Sequence, residues 1–595
     1  MDYLNELNKE QYHAVTTKSK KVLVIAGAGS GKTKVLTDRI KYLIDNGARR
    51  NEILAFTFTK KAAKEMKDRL IDYRFENVFT FHSYCFQQLT SNPREYGLSE
   101  SLYVVDDNYK QILVSNILEA MNLRIDSKII LRYLGKRKNG IDVCFNSSKD
   151  ENLFNTIYYK YQEYLMNCGA IDFDDMIPLF INNFNNISDK EFILRNAKYI
   201  LVDECQDTNQ LQYDLVNLLS SRYGNIFMVG DDKQLIYSFR SSDIKIMNHF
   251  RLHADEVIAL KQNYRSALNI LDSANKLISH NNFEYENDIY SLIPKKYDVK
   301  KISFQSTSEE ASAVAYTIER LLKIGYEPKD IAVLYRNNYQ SNQLELAMIN
   351  RNIPYVVYGK LPFNEQAECK NIISAYRFMR NLNDSLLFYM LLPLDSNEIK
   401  AFKTGFNKDS KTILDYALNC NNEKIRKIAL GLRDIIDNRK QYSKSELFAN
   451  LTEVLFDNGL KTKQADHIKL LKDIIISSEL NDECEILNEI MIDGEIDDKS
   501  KGVRLLTIHK AKGLEFKCVF LISLNDGILP AITKTNDQLE EERRLCYVAI
   551  TRAKEFLQIS SANYHFINGI RKRLRPSVFM SEIIEASSEN VSHMI

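Results

Sequence analysis

Ala26-Gly27-Ala28-Gly29-Ser30-Gly31-Lys32-Thr33 follows an apolar run, Val22-Leu23-Val24-Ile25. It leads into Lys34-Val35-Leu36-Thr37-Asp38-Arg39-Ile40, whose apolar residues recur at helical spacing. Strand, glycine-rich loop and helix in that order make a P-loop. Gly27, Gly29 and Gly31 let the backbone turn tightly enough to aim N–H groups at phosphate oxygens, and the helix N-terminus adds a favourable dipole. Lys32 is expected to reach the β- and γ-phosphates of ATP, and the Thr33 hydroxyl to ligate Mg2+. A glycine cluster without this spacing would be a turn and nothing more.

Working outward, Gln11 precedes the P-loop lysine, Lys32, by about 20 residues. Its amide carries one donor and one acceptor, which match the N6/N7 edge of adenine. Downstream, the apolar run Tyr199-Ile200-Leu201-Val202 ends in Asp203-Glu204-Cys205-Gln206-Asp207. Asp203 suits a magnesium shell, and Glu204 suits positioning and deprotonating a water, as in a Walker B strand. Phe227-Met228-Val229-Gly230 runs into Asp231-Asp232-Lys233-Gln234, which places Gln234 to sense a γ-phosphate, and then into Tyr237, Phe239 and Arg240. Two aromatics beside a cation form a platform for stacked bases. Two strand-to-helix junctions, Thr57-Phe58-Thr59 and Thr80-Phe81-His82-Ser83, offer further aromatic and hydroxyl groups to a nucleic-acid strand. The basic run Leu131–Lys138 reads as a solvated face or a phosphate contact.

Composition narrows the class. The 595 residues suggest about three to five domains. With 45% hydrophobic and 27% charged residues, the chain reads as soluble and globular. A formal net charge of +1 means that any nucleic-acid surface arises from local arrangement. Nine cysteines are scattered without paired ligand spacing, as reduced cytoplasmic thiols would be, and argue against a zinc module. No signal peptide and no apolar run of about 18 residues is seen, so no membrane partner is expected.

The order of these segments resembles the UvrD/Rep/PcrA family of superfamily 1A DNA helicases. The second half extends the likeness through Ile331–Asn337, Val503–Phe516 and Glu540–Lys554, so matching segments run from residue 4 to 554. The resemblance implies an α/β fold with two RecA-like P-loop domains, parallel sheets flanked by helices, each carrying a mostly helical inserted domain. The expected boundaries are 1–90 with 190–262 for the first RecA-like domain and 91–189 for its insertion. For the second they are 263–380 with 500–595, and 381–499 for a reduced insertion. It also implies that Arg265 and Arg552 act as arginine fingers, that Tyr264 stacks on adenine, and that Glu515 meets the ribose. Lys34 stands where the family has arginine, weakening one base contact. Thr57, Phe58, His82, Tyr237, Phe239, Arg240 and His509 would line a single-strand path. The chemistry of Arg552 agrees independently, because a P-loop with its Walker B pair still lacks a counter-charge for the transition state.

The implied activity is ATP-dependent 3′-to-5′ translocation on single-stranded DNA and unwinding of tailed or forked duplex, in repair, recombination or replication. The second insertion is short, and Leu392–Asn397 lacks the Gly-Ile-Gly element with which the family grips duplex. That favours as an alternative a translocase subunit of a larger complex, in nuclease-coupled repair or phage defence, unwinding weakly alone. The reduced insertion would then serve a protein partner or self-association. A non-catalytic binding protein is disfavoured by the intact Lys32, Asp203, Glu204, Gln234, Arg265 and Arg552.

Overall fold

The computed structural model describes residues 2–583 except 101, 146, 237–243, 284, 286–287, 359–365, 395, 407–411, 457–461, 478–486, 488–501 and 568–569. The chain divides into two compact units, one formed by residues 1–81, 191–360 and 497–595 and the other by 82–190 and 361–496.

The first unit carries two sheets. One has six parallel strands in the order Val78–Thr80, Ile53–Thr57, Tyr199–Val202, Asn225–Gly230, Lys21–Ala26, Glu256–Leu260. Its strands are near-continuous apolar runs, as they must be in a parallel sheet covered by helices on both faces. The register aligns Thr57 with Thr80, Phe56 with Val202, Ile25 with Gly230 and Ala26 with Leu260. The glycine-rich loop, the Asp203–Asp207 turn and the Asp231–Gln234 turn therefore all leave one carboxyl edge, where open α/β sheets bind ligands.

The other sheet runs Lys300–Ser306, Ala553–Ile567, Phe516–Leu521, Ile331–Tyr335, Val503–Thr507, Tyr355–Tyr358, all parallel, with Ile570–Arg573 added antiparallel to Ala553–Ile567. Leu334, Leu506, Val519 and Leu557 are buried on one face, and Val333, Leu505, Cys518 and Phe556 on the other. Two parallel sheets with helical layers are the architecture that the sequence predicts.

The second unit is helical. Asp106, Asp126 and Ser147 cap three of its helices, Asp107–Ala120, Ser127–Lys138 and Ser148–Asn167, by accepting backbone N–H groups. The family resemblance implies two inserted stretches and is silent on whether they meet. In the structure they share one hydrophobic core: Leu113, Ile157 and Leu165 from the first pack in the same cluster as Leu387, Phe388, Leu432 and Leu471 from the second. Asp384 is fully buried at the join. It accepts from Tyr103 Oη and from Tyr109 Oη (2.7 Å), and it caps the helix Ser385–Leu391 through the N–H groups of Leu386 and Leu387. Asn381 donates to the Cys168 carbonyl at 2.8 Å. The basic run divides: Arg132, Lys136 and Arg137 stay exposed, as on a solvated face, and only its last cation leaves it. Lys138 turns inward to Asp172 (2.6 Å) and Asp175 (2.8 Å), because burial of a lysine requires paired carboxylates.

Candidate active site

Gly31, in the left-handed region at φ 88°, is the N-cap of the helix Lys32–Asp45, so the loop delivers Lys32 and Thr33 at a helix N-terminus. Within the loop Ser30 Oγ donates to the Gly27 carbonyl at 2.8 Å. Gln11 is locked in a capping box with Asn8, and its Nε2 donates to the Ser30 carbonyl at 3.0 Å. Tyr264 is half-exposed beside them; its hydroxyl accepts from Asn8 Nδ2 (2.9 Å) and its N–H donates to the Gly29 carbonyl (2.9 Å). Gln11, Tyr264 and the loop, far apart in the chain, thus meet. Lys34 is held aside by Glu6 at 2.8 Å and Asp38 at 3.5 Å.

Asn263, unremarked among the candidate residues, organises this junction. Its Nδ2 donates to the Ala28 carbonyl at 2.6 Å, while its Oδ1 accepts the N–H groups of Arg265 and Ser266, both at 2.8 Å. A Cβ on Gly29 would lie 2.7 Å from both Asn263 Nδ2 and Arg265 Cβ, at φ +67°. This glycine is therefore required by the packing of the segment that carries Asn263 and Arg265.

The charges converge in a line. Lys32 Nζ lies 3.4 Å from Glu204 Oε2. Glu204 sits at φ 49°, a left-handed conformation that non-glycine residues hold at a cost and that clusters at functional sites. Gln206 Nε2 donates to the Glu204 carboxylate, and Gln206 Oε1 accepts from Asp231 N at 2.9 Å. Asp231 Oδ2 accepts from Gln234 Nε2 at 2.6 Å, and Gln234 Oε1 accepts from Arg552 at 3.4 Å. Burial alone would raise the Glu204 carboxyl, but Lys32 and Lys512 outweigh it and hold it below the usual range. Burial, and then the charge on Glu204, push Asp203 up. Two adjacent carboxylates are thereby split, and Glu204 is the one kept ionised.

Arg552 is 1% exposed and spends its donors on neutral partners: the carbonyls of Val548 (2.9 Å) and Leu514 (3.2 Å), Thr551 Oγ1 (3.1 Å) and Gln234. Burial, and then the like charge of Arg265, lower its pKa to about 9. Arg265 is held by Glu515 at 2.8 Å, and Glu515 is shared with Lys554 at 2.5 Å. Among the described residues, no group of three or more His, Cys, Asp or Glu side chains could hold a metal ion. The Thr33 hydroxyl and the Asp203 carboxylate are hard oxygen donors, and so small a protein set fits Mg2+, which keeps waters and substrate phosphates as its remaining ligands.

A profile of the UvrD/REP helicase N-terminal domain matches residues 7–255, and one of the UvrD-like helicase C-terminal domain matches 258–469 and 457–564. The chain belongs to the UvrD-like helicases. The ATP-dependent DNA helicase PcrA of Staphylococcus epidermidis is 32% identical, over 98% of this chain and 87% of that protein. That of Staphylococcus aureus is 31% identical, over 99% and 88%.

The remaining candidate residues of this UvrD-like helicase are placed differently from one another. Thr57 is fully buried, and its Oγ1 donates to the Thr59 carbonyl (3.1 Å), so in this conformation it shapes the turn into the helix Lys60–Arg69. Phe58, next to it, is half-buried. His82 stacks on Phe173 with ring centroids 3.9 Å apart, and burial drives its pKa down to about 3, so it is neutral. His509 lies on the short helix Ile508–Ala511, which leaves the strand Val503–Thr507. Tyr237, Phe239 and Arg240 lie outside the described residues. No helix among the described residues is long and apolar enough to cross a membrane.

Two further groups escaped the sequence reading. Lys512 Nζ, in a buried pair, lies 2.5 Å from Asp207 Oδ2 and donates to the Gln234 carbonyl at 2.9 Å. The available signal was spacing: Asp207 closes the one-turn helix that Glu204 opens, three residues on.

Proposed function

We propose that this chain is an ATP-driven DNA helicase that moves 3′ to 5′ along single-stranded DNA. The observation that carries the reading is the polar line Lys32–Glu204–Gln206–Asp231–Gln234–Arg552, which joins the P-loop to an arginine contributed beside the second sheet. In the proposed cycle Lys32 neutralises the β- and γ-phosphates, and Glu204 accepts the proton of the attacking water. Gln234 reads the γ-phosphate, while Arg552 and Arg265 counter the charge that develops on it. Thr33 and Asp203 would hold a magnesium ion, which neutralises phosphate charge. Gln11 meets the adenine edge, Tyr264 stacks on the ring and Glu515 meets the ribose. Arg552 now donates mostly to carbonyls and a hydroxyl, so a phosphate can take over those donors without breaking an ion pair.

The relatives' name, ATP-dependent DNA helicase PcrA, supports DNA as the track. Phe58, His82, Tyr237, Phe239, Arg240 and His509 would touch the strand, Thr57 would set the turn beneath it, and cleft closure and reopening would move these groups along it. DNA repair, recombination or replication is the proposed setting. ATP turnover with and without single-stranded DNA, and unwinding of 3′-tailed against 5′-tailed duplex, test the reading. Strong stimulation and preference for the 3′ tail are expected; absent stimulation, or preference for the 5′ tail, would overturn it.

One observation favours weak unwinding by the lone chain. The helices of the reduced insertion contribute Leu387, Leu432 and Leu471 to the core shared with the first insertion, so their apolar faces serve that core. A protein partner or a second copy of the chain would then supply the grip on duplex. Single-turnover unwinding of a tailed duplex by dilute protein is expected to be poor, and separation of several tens of base pairs would reject the idea.

A further inference from the structure

The Asp203–Asp207 turn and the Asp231–Gln234 turn both leave the first sheet, yet one cation from beside the second sheet grips both. Lys512 Nζ reaches Asp207 Oδ2 at 2.5 Å and the Gln234 carbonyl at 2.9 Å. The two side chains of the ion pair are 7% and 1% exposed, so little solvent screens them. Asp207 is the last residue of the one-turn helix Cys205–Asp207, and its N–H donates to the Glu204 carbonyl at 2.9 Å. Glu204 is the N-cap of that turn in its left-handed conformation. Holding Asp207 therefore holds the backbone that keeps the catalytic carboxylate in an unfavourable geometry, and holding the Gln234 carbonyl fixes the turn that carries the γ-phosphate sensor. Lys512 is in turn the C-cap of the helix Ile508–Ala511, which carries His509. One short rigid turn thus links a residue of the proposed strand path to both catalytic turns.

We infer that Lys512 is a positioning residue for hydrolysis, a latch through which the strand path beside the second sheet sets the geometry of Glu204 and Gln234. The inference rests on the proposed DNA-driven ATPase activity and assigns the coupling to one ion pair. It requires no contact between Lys512 and nucleotide. Loss of the latch is expected to lower turnover and to leave nucleotide affinity nearly intact.

The test uses the full chain with a single-stranded oligothymidylate. Lys512→Met (K512M) is expected to lower DNA-stimulated kcat about 10²-fold, with KM for ATP within about threefold, as for a lost orientation of about an ångström. Nucleotide-free DNA affinity should stay within about threefold, since the lysine is buried on Asp207. Asp207→Asn should show the same split, and the double variant should be no worse than the poorer single, because both remove one interaction. The double variant buries no lone ion, so it decides the matter if K512M fails to fold. A DNA-stimulated kcat near wild type in the double variant, or single losses that multiply in it, would overturn the latch. Wild-type protein without DNA stimulation would overturn the proposed function and the latch together, whereas a stimulated wild type with an unaffected K512M overturns the latch alone.

Discussion

The two compact units bury charge in opposite ways. In the helical unit Lys138 is enclosed by Asp172 and Asp175, with Tyr161 Oη donating to Asp172 at 2.8 Å, and Asp384 is closed off by Tyr103, Tyr109 and its own helix N-terminus. Every partner belongs to one core, so these charges lock it. In the unit with the sheets, the paired groups come from segments 172 and 305 residues apart, Lys32 with Glu204 and Lys512 with Asp207. Arg552 has no carboxylate partner among the described ion pairs. Charges held by neutral groups, as Arg552 is, can be re-partnered when phosphate arrives, while a pair between segments of different sheets can pass movement from one to the other. The first arrangement gives rigidity; the second gives a responsive site.

The largest effects should fall on the responsive side. Glu204→Gln is expected to lower kcat about 10³-fold while retaining ATP binding, since an amide cannot take the proton. Lys32→Ala should lower it at least about 10²-fold. Weak ATP binding by Glu204→Gln in a fluorescent-nucleotide titration would reclassify Glu204 as structural. On the locked side, Lys138→Met leaves two carboxylates facing each other and should cost the helical unit about 3 kcal/mol in denaturant melts. DNA-stimulated kcat should then stay within about threefold, because Lys138 and the catalytic groups share no partner among the described ion pairs. A large loss of turnover with an unchanged melt would erase the contrast between the units.

Asn263→Ala sharpens it further. Removing one buried polar hub between P-loop and Arg265 should lower kcat/KM about tenfold. An unchanged kcat/KM would mean that Gly29 and Tyr264 alone hold the junction. The smallest effect concerns pH. His82 has a folded pKa of about 3 against an ordinary value of about 6.5, because the half-buried ring is desolvated. Its stability contribution is whole above about pH 6.5 and is lost as pH falls toward 3, by at most about 1.4 kcal/mol per unit. Melting at pH 7.5 and 5.5 should show a smaller pH decrement in His82→Phe than in wild type. Equal decrements would mean that the imidazole is charged in the folded chain.

Much of the site was legible because its parts are contiguous. Eight successive residues, Ala26–Thr33, make the phosphate cradle, and two successive carboxylates, Asp203 and Glu204, end an apolar strand. Gly29 shows the limit of that legibility. Its φ suits a phosphate loop, yet the atoms that a side chain there would strike belong to Asn263 and Arg265. Thr57 shows another: a hydroxyl at a strand end reads as a ligand contact until its buried bond to the Thr59 carbonyl is seen.

What the sequence by itself determined was local chemistry: which turns carry phosphate-binding backbone, which residues can take a proton, and where strands and helices alternate. Side-chain type, spacing and periodicity act over a few residues, so one-dimensional order suffices. Only the tertiary structure decided that Glu204 is held in a left-handed conformation, that Lys512 reaches Asp207, and that the two inserted stretches share the core around Asp384. Those outcomes depend on closing loops of hundreds of residues onto hydrogen bonds and ion pairs of under about 3 Å. Nothing in the order of residues states which distant donor meets which buried acceptor; the packing of the sheets and helices settles that.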